Sequence, residues 1–224
     1  MKRGIAYWVF VRIPLWFVAI SLIAVTLLNW VPVRHTPLML KRAFQFSTMD
    51  DYHAEQEWAS LEEISPELIA AVIISEDSRF YQHHGFDWDE IVGVICSYRA
   101  GDAPLRGCST ITQQTAKNLF TFGTHTWARK AVETWWTVLM ETIWSKERIL
   151  EVYLNIAEFG PGVFGAKAAA HVFFQKDPAY LTRAEAVTLA ACLPSPLSDQ
   201  PGNLSVKATN RKKSISRRMA ETKQ

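Results

Sequence analysis

The chain has 224 residues, 24 Lys+Arg against 22 Asp+Glu for a formal net charge of +2, and 49% apolar content. That length holds one sizeable domain and leaves no room for a second catalytic one, and the apolar fraction excludes a disordered chain. The charge divides as +3 over residues 1–33, −7 over 34–202 (14 basic against 21 acidic) and +6 over 203–224, which excludes a nucleic-acid binder whose basic charge would sit on the folded domain.

Residues 1–12 carry Lys2, Arg3 and Arg12 and no acid. Residues 13–33 are uncharged and apolar, about 20 residues that span a hydrocarbon core of roughly 30 Å at 1.5 Å per residue. Trp8, Trp16 and Trp30 lie toward the ends of this run, where interfacial aromatics collect. A cleaved signal peptide would have a shorter apolar core of about 7–15 residues and small residues at a cleavage site. Val31-Pro32-Val33-Arg34-His35 offers no such site, so a retained transmembrane helix is expected. Its orientation is open on charge alone, because Arg34, Lys41 and Arg42 follow the span as Lys2, Arg3 and Arg12 precede it. Cys96, Cys108 and Cys192 are an odd number and define no disulfide framework.

Residues 34–54 read as a connector, and a mainly α domain is expected over 55–202. Ser65-Pro66-Glu67 is a helix start with a cap, a first-turn proline and a first-turn acid. Ser109 is expected to cap the segment from Thr110 to Phe120, Thr126 a long helix from Trp127, and Ser145 the next helix. Thr182 with Glu185 forms a capping box. Gly160-Pro161-Gly162 and residues 194–202 read as loops. No strand alternates convincingly. The basic tail, 203–224, reads as solvated, at most a frayed helix, with attraction to anionic headgroups as the alternative.

Three polar clusters could carry chemistry. Glu76-Asp77-Ser78-Arg79-Phe80-Tyr81-Gln82-His83-His84-Gly85 follows an apolar helix, and a partly desolvated Glu76 would have the raised pKa that suits a general base. The plain alternative is a solvated acid pair ending a helix. Gly107-Cys108-Ser109-Thr110-Ile111-Thr112-Gln113-Gln114-Thr115-Ala116-Lys117-Asn118 leads into a helix whose N–H groups attract anions. Its spacing puts Thr110, Gln113 or Gln114, and Lys117 on one face, fit for sugar hydroxyls and phosphate oxygens; an ordinary capped surface helix reads the same way. Arg129-Lys130-Ala131-Val132-Glu133 contains an i,i+4 ion pair that could be no more than a surface contact. No metal-ligand motif, nucleophile elbow or phosphate-cradling glycine loop is present.

Singly these clusters are weak, but their order is specific. Glu76-Asp77-x-x-Phe80-x-x-His83-x-Gly85, then Gly107-x-Ser109-Thr110-Ile111-Thr112-Gln113-Gln114, then Arg129-Lys130-x-x-Glu133, then Ser145-Lys146-x-x-Ile149-Leu150-Glu151-x-Tyr153-Leu154-Asn155 resembles the peptidoglycan glycosyltransferases, glycosyltransferase family 51, in their monofunctional form. The resemblance covers roughly residues 55–200. Cys108 departs from the glycine frequent in the second motif, and Val172-Phe173-Phe174-Gln175-Lys176 departs from a Tyr-Phe-Gly-Lys-like run.

The resemblance implies a lysozyme-like α domain with a small membrane-proximal lobe. It implies attack by the 4-hydroxyl of lipid II on a growing glycan chain activated by undecaprenyl pyrophosphate, with no transpeptidase activity. It makes Glu76 the base and puts Glu133, Lys117, Arg129 and Lys130 on the pyrophosphate side. Asp77, Phe80, His83, Gly85, Ser109, Thr110, Gln113, Gln114 and Asn118 complete the expected substrate-binding set. No organic cofactor is implied, and a divalent cation (Mg2+ or Mn2+) is compatible with the scheme. Partners are lipid II and the glycan chain, with cell-wall synthesis or division proteins as further candidates and no nucleic acid. The implied location is the bacterial cytoplasmic membrane, single-pass, with the catalytic domain on the periplasmic side. A lysozyme-like hydrolase and a non-catalytic tethered scaffold are the rival readings; the hydrolase would use paired carboxylates and has no need of Lys117, Arg129 and Lys130.

Overall fold

Apolar content this high with helical periodicity dictates helices that bury a stripe on one another, and ten α-helices make up nearly all the regular structure among the described residues. The computed structural model describes residues 7–47, 54–104, 107–122 and 127–221. A π-helical turn, Trp8–Arg12, runs into α1 (Ile13–Leu28), and the combined helix Trp8–Leu28 is long and apolar enough to cross a membrane. It ends at Asn29, short of the expected Val33, because Pro32 and the chain's turn toward the domain stop it.

The connector contains an element that the sequence reading missed. Thr36 caps α2 (Pro37–Gln45) by accepting the Met39 N–H at 3.1 Å, with proline in the first turn. Next come β1 (Glu55–Gln56) and α3 (Pro66–Glu76), capped by Ser65 as expected. α4 is Trp88–Ala100, closed by Gly101 in the left-handed conformation.

α5 (Ile111–Phe120) is capped by Thr110 rather than Ser109: Thr110 and Gln113 close a capping box one residue later than expected. α6 (Trp127–Ile143) is the long helix expected here, and its proposed cap Thr126 lies outside the described residues. α7 (Lys146–Ile156) and α9 (Arg183–Cys192) have their expected caps, Ser145 and Thr182. Between them lie β2 (Glu158–Gly160), β3 (Val163–Phe164) and α8 (Ala166–Phe174). The three strands form one small sheet in the order β1-β3-β2; at two or three residues each they are too short to show alternation in sequence.

The core gathers around α5, α7 and α9. α5 packs on α6 and α7, and α9 on α3. Ile149, Leu150, Val152, Leu154 and Ile156 of α7 and Ala186 to Cys192 of α9 are buried. Gly165 joins β3 to α8 at φ +87°, where a Cβ would stand 2.7 Å from the Asn155 carbonyl oxygen. All three cysteines are free, and burial pushes the Cys192 thiol up to about 12.

The tail corrects the expectation of a solvated segment. α10 (Val206–Glu221) packs on α9 and α3 and buries Ala208, Ile215 and Met219. Arg211 and Arg218 donate to the carbonyls of Ala191 and Ile74 at 2.7 and 2.6 Å, tying the helix to α9 and α3.

α1 is more than a tether. Val25 is fully buried against the domain, and Phe17 meets the rings of Trp135 and Trp136 at 6.0 and 6.2 Å. The indoles of Trp135 and Trp144 donate to Ser21 Oγ and the Val25 carbonyl at 3.1 and 2.7 Å. Arg148 of α7 donates to the carbonyls of Leu28 and Val31, each at 2.7 Å, supplying the cation that the C-terminal end of a helix favours.

Candidate active site

The end of α3, the strand-like entry to α5, α5 itself, the turn after α9 and α10 enclose a cleft of about 970 Å³. A second cavity of about 220 Å³ shares Gln114, Lys117, Leu193 and Pro194 with it and extends it toward Tyr153, Arg42 and Glu158.

Glu76 is the last residue of α3, and its carboxylate faces this cleft. Ser75 Oγ donates to its Oε1 at 3.1 Å and Gln114 Nε2 to its Oε2 at 3.1 Å. Burial raises its pKa, while the Gln114 and Ser75 hydrogen bonds and the Arg211 charge oppose the rise. The result is a carboxylate more basic than one in water yet held in the charged form by oriented donors.

Asp77 and Ser78 line the cleft beside Glu76, and the Asp77 carboxylate also braces the elements around it. Asp77 Oδ2 accepts the Ile111 N–H at 3.0 Å, and Oδ1 meets His83 Nε2 at 2.9 Å. The carboxylate thereby holds the N-terminus of α5, where the helix dipole favours negative charge. Phe80 is fully buried with the Lys146 ammonium 4.5 Å above its ring, so it packs the loop and does not line the cleft. Gly85 has φ +84°, and a Cβ there would come within 2.8 Å of Thr137 Cγ2; its carbonyl accepts the Thr110 hydroxyl at 2.7 Å. His83 is likewise buried.

Among the described residues one group could hold a metal ion, Asp77, His83 and Asp87. Three of its four carboxylate oxygens are already engaged. Asp87 Oδ1 accepts the Glu90 N–H at 3.0 Å and pairs with Arg79 at 3.4 Å, and both Asp77 oxygens have partners. His83 Nδ1 is buried without a hydrogen-bond partner among the described residues. The set fits an internal network better than an open coordination site.

α5 brings Ser109, Thr110, Gln114 and Lys117 to the cleft, with Asn118 at the second cavity. Gln113 is buried in the capping box, so Gln114 is the amide of the pair that faces the site. Burial and then the Arg129 charge lower the Lys117 pKa, and the same two causes lower that of Lys130. On α6, Glu133 is 3% exposed. It pairs with Arg129 one turn before it and lies 3.5 Å from Lys130 Nζ. Glu133 thus anchors two cations next to Lys117. Arg129, Lys130 and Glu133 do not themselves line the described cleft.

The sequence reading missed one wall altogether. Arg211, Ser214 and Arg218 of α10 line the cleft facing α3 and α5. The signal was present: Ala208, Ile215 and Met219 recur at seven and four residues, an apolar stripe with basic residues beside it. Arg42 of α2 was also missed; its Nε donates to both oxygens of buried Glu158, at 3.1 and 2.8 Å.

Known proteins are similar in sequence to this chain. The transglycosylase family model matches residues 42–220. A biosynthetic peptidoglycan transglycosylase of Pseudomonas putida is 44% identical over 211 residues, covering 94% of this chain and 89% of that protein. One from Pseudomonas aeruginosa is 46% identical over 184 residues, 82% and 79% of the two chains. One from Rhodospirillum centenum is 47% identical over 192 residues, 86% and 81%.

Proposed function

The chain belongs to the transglycosylase family, and from that membership we propose that it polymerises lipid II into β-1,4-linked glycan strands and releases undecaprenyl pyrophosphate. Its activity is that of a peptidoglycan glycosyltransferase of cell-wall synthesis. The observation that carries the finer reading is one juxtaposition: the Glu76 carboxylate, held by Ser75 and Gln114, faces the same cleft as the Lys117 ammonium three residues beyond Gln114 on α5.

Glu76 is the general base. It takes the proton of the acceptor's 4-hydroxyl as that oxygen bonds to C1 of the donor, and the C1–pyrophosphate bond breaks on the opposite face with inversion. Its raised pKa makes it a stronger base, and its two donors favour the charged form against the burial. Lys117, Arg129 and Lys130 stabilise the charge that develops on the departing pyrophosphate. Glu133 fixes two of these cations in place, which spares reorganisation during the reaction. A divalent cation, Mg2+ or Mn2+, would take much of its oxygen coordination from the pyrophosphate itself.

Both substrates carry polyprenyl tails, so the cleft must stay near headgroup level. The helix Trp8–Leu28 is the single-pass anchor in this reading, set in the bacterial cytoplasmic membrane with the domain on the periplasmic side.

Incubating the full chain with labelled lipid II in vesicles tests the reaction. Glycan polymer together with undecaprenyl pyrophosphate is the expected product. Cleavage of finished glycan without polymer formation would instead establish a hydrolase, and neither outcome with properly folded protein would favour a tethered scaffold.

A further inference from the structure

We infer that Tyr153 is a positioning residue for Glu76, acting through the Gln114 side chain, which its hydroxyl locks in the orientation that donates to the Glu76 carboxylate. The inference rests on the reading of Glu76 as the base. It extends the site to a residue that is 1% exposed on α7 and that touches neither reacting group in that scheme.

The geometry is a chain of three. Tyr153 Oη donates to Gln114 Oε1 at 3.2 Å, and Gln114 Nε2 donates to Glu76 Oε2 at 3.1 Å and to the Ser109 carbonyl at 3.4 Å. A carboxamide has one acceptor end and one donor end. Here the acceptor end meets a hydroxyl and the donor end meets two acceptors. Rotated by half a turn, the amide would set its oxygen against the Glu76 carboxylate and the Ser109 carbonyl, two acceptor–acceptor contacts. Tyr153 is suited to the task because burial raises its pKa well above the ordinary value, so it stays a hydroxyl donor throughout the working range.

Several other groups bear on Glu76: Asp77 on its own segment, Ser75 one residue before it, Lys117 on α5 and Arg211 on α10. None of them contacts Gln114 Oε1 among the hydrogen bonds of the described residues. Loss of the Tyr153 hydroxyl therefore leaves that part-buried oxygen without its protein donor, and the amide is no longer fixed in the orientation that donates to Glu76. Glu76 then loses an N–H that stabilises its charged form, and its pKa rises further. A base is active only when deprotonated, so the acid limb of the kcat/KM profile moves to higher pH.

The test is Tyr153→Phe in the full chain, with kcat/KM for lipid II polymerisation measured across pH and thermal unfolding measured alongside. The expected result is an acid limb moved upward and kcat/KM near neutral pH reduced about three- to tenfold, with the alkaline limb in place. Gln114→Met should move the acid limb the same way, and Tyr153→Phe added to it should move it no further. A uniform loss at every pH with the acid limb unmoved, or a full additional shift in the double variant, would overturn the inference. If Tyr153→Phe does not fold, the Gln114→Met profile decides: an unmoved acid limb there overturns it equally. Failure of the parent reading has a separate signature, an acid limb that survives unchanged in Glu76→Gln.

Discussion

Lys117 shows how one side chain's surroundings set the pH window of the whole site. Desolvation within the cleft and the charge of Arg129 both lower its pKa. In the proposed reaction it must be charged to hold a pyrophosphate. As pH rises it therefore loses its proton before an ordinary lysine would, and activity falls on the alkaline side. Lys117→Arg carries a cation that does not titrate in this range, so the alkaline limb of kcat/KM should move upward in that variant. A limb that stays put would assign it to another group. Glu76 sets the opposite limb, since its raised pKa brings the loss of base function to higher pH than for a solvated glutamate. Of these two residues the sequence reveals the identities and order but not the tuning. Ser75 is the neighbour of Glu76 on α3, but Gln114 donates because the end of α3 meets α5, a long-range contact that no local spacing encodes.

At the scale of elements, local chemistry was legible and tertiary pairing was not. Ser65, Ser145 and Thr182 mark helix starts because a short hydroxyl satisfies free N–H groups whatever the rest of the fold does. The cap of α5 shifts to Thr110 because Gln113, three residues on, completes the box with Thr110 and not with Ser109. α2 was missed since Thr36-Pro37 is a helix start inside a stretch of mixed polarity. The packing of α10 is hidden in sequence because seven basic residues in 203–224 outweigh an apolar stripe of three. The junction of α1 with α7 also goes unannounced in sequence. Arg148 there meets two carbonyls of the span's end, Glu151 at 2.7 Å, and the rings of Trp58 and Trp144. Arg148→Ala strands those carbonyls and the Glu151 carboxylate together, a cost of about 2–3 kcal/mol. The unfolding midpoint of the full chain in detergent should drop by roughly 4–12 °C. An unchanged midpoint would mean that the span and domain are held together elsewhere.

For the whole molecule, the near-neutral total charge is a poor guide and its distribution a good one. The middle of the chain is acidic, yet Lys117 lines the cleft within reach of the charge of Arg129 and Lys130, and Arg211 and Arg218 on α10 form another wall. Two distant parts of the chain thus meet at one site: the basic tail closes the cleft, while the apolar N-terminal helix docks on α6 and α7 behind it. The glycosyltransferase account makes Glu76 the group on which turnover depends, so the most direct test is lipid II polymerisation by Glu76→Gln beside the wild type. The variant keeps the side chain's shape and removes a charge that burial disfavours, so it should unfold at the wild-type midpoint or above it at neutral pH. Its polymerisation rate should fall by about 10²–10⁴-fold. A folded Glu76→Gln enzyme that polymerises lipid II within about tenfold of the wild type, short of what a general base contributes, would contradict the account.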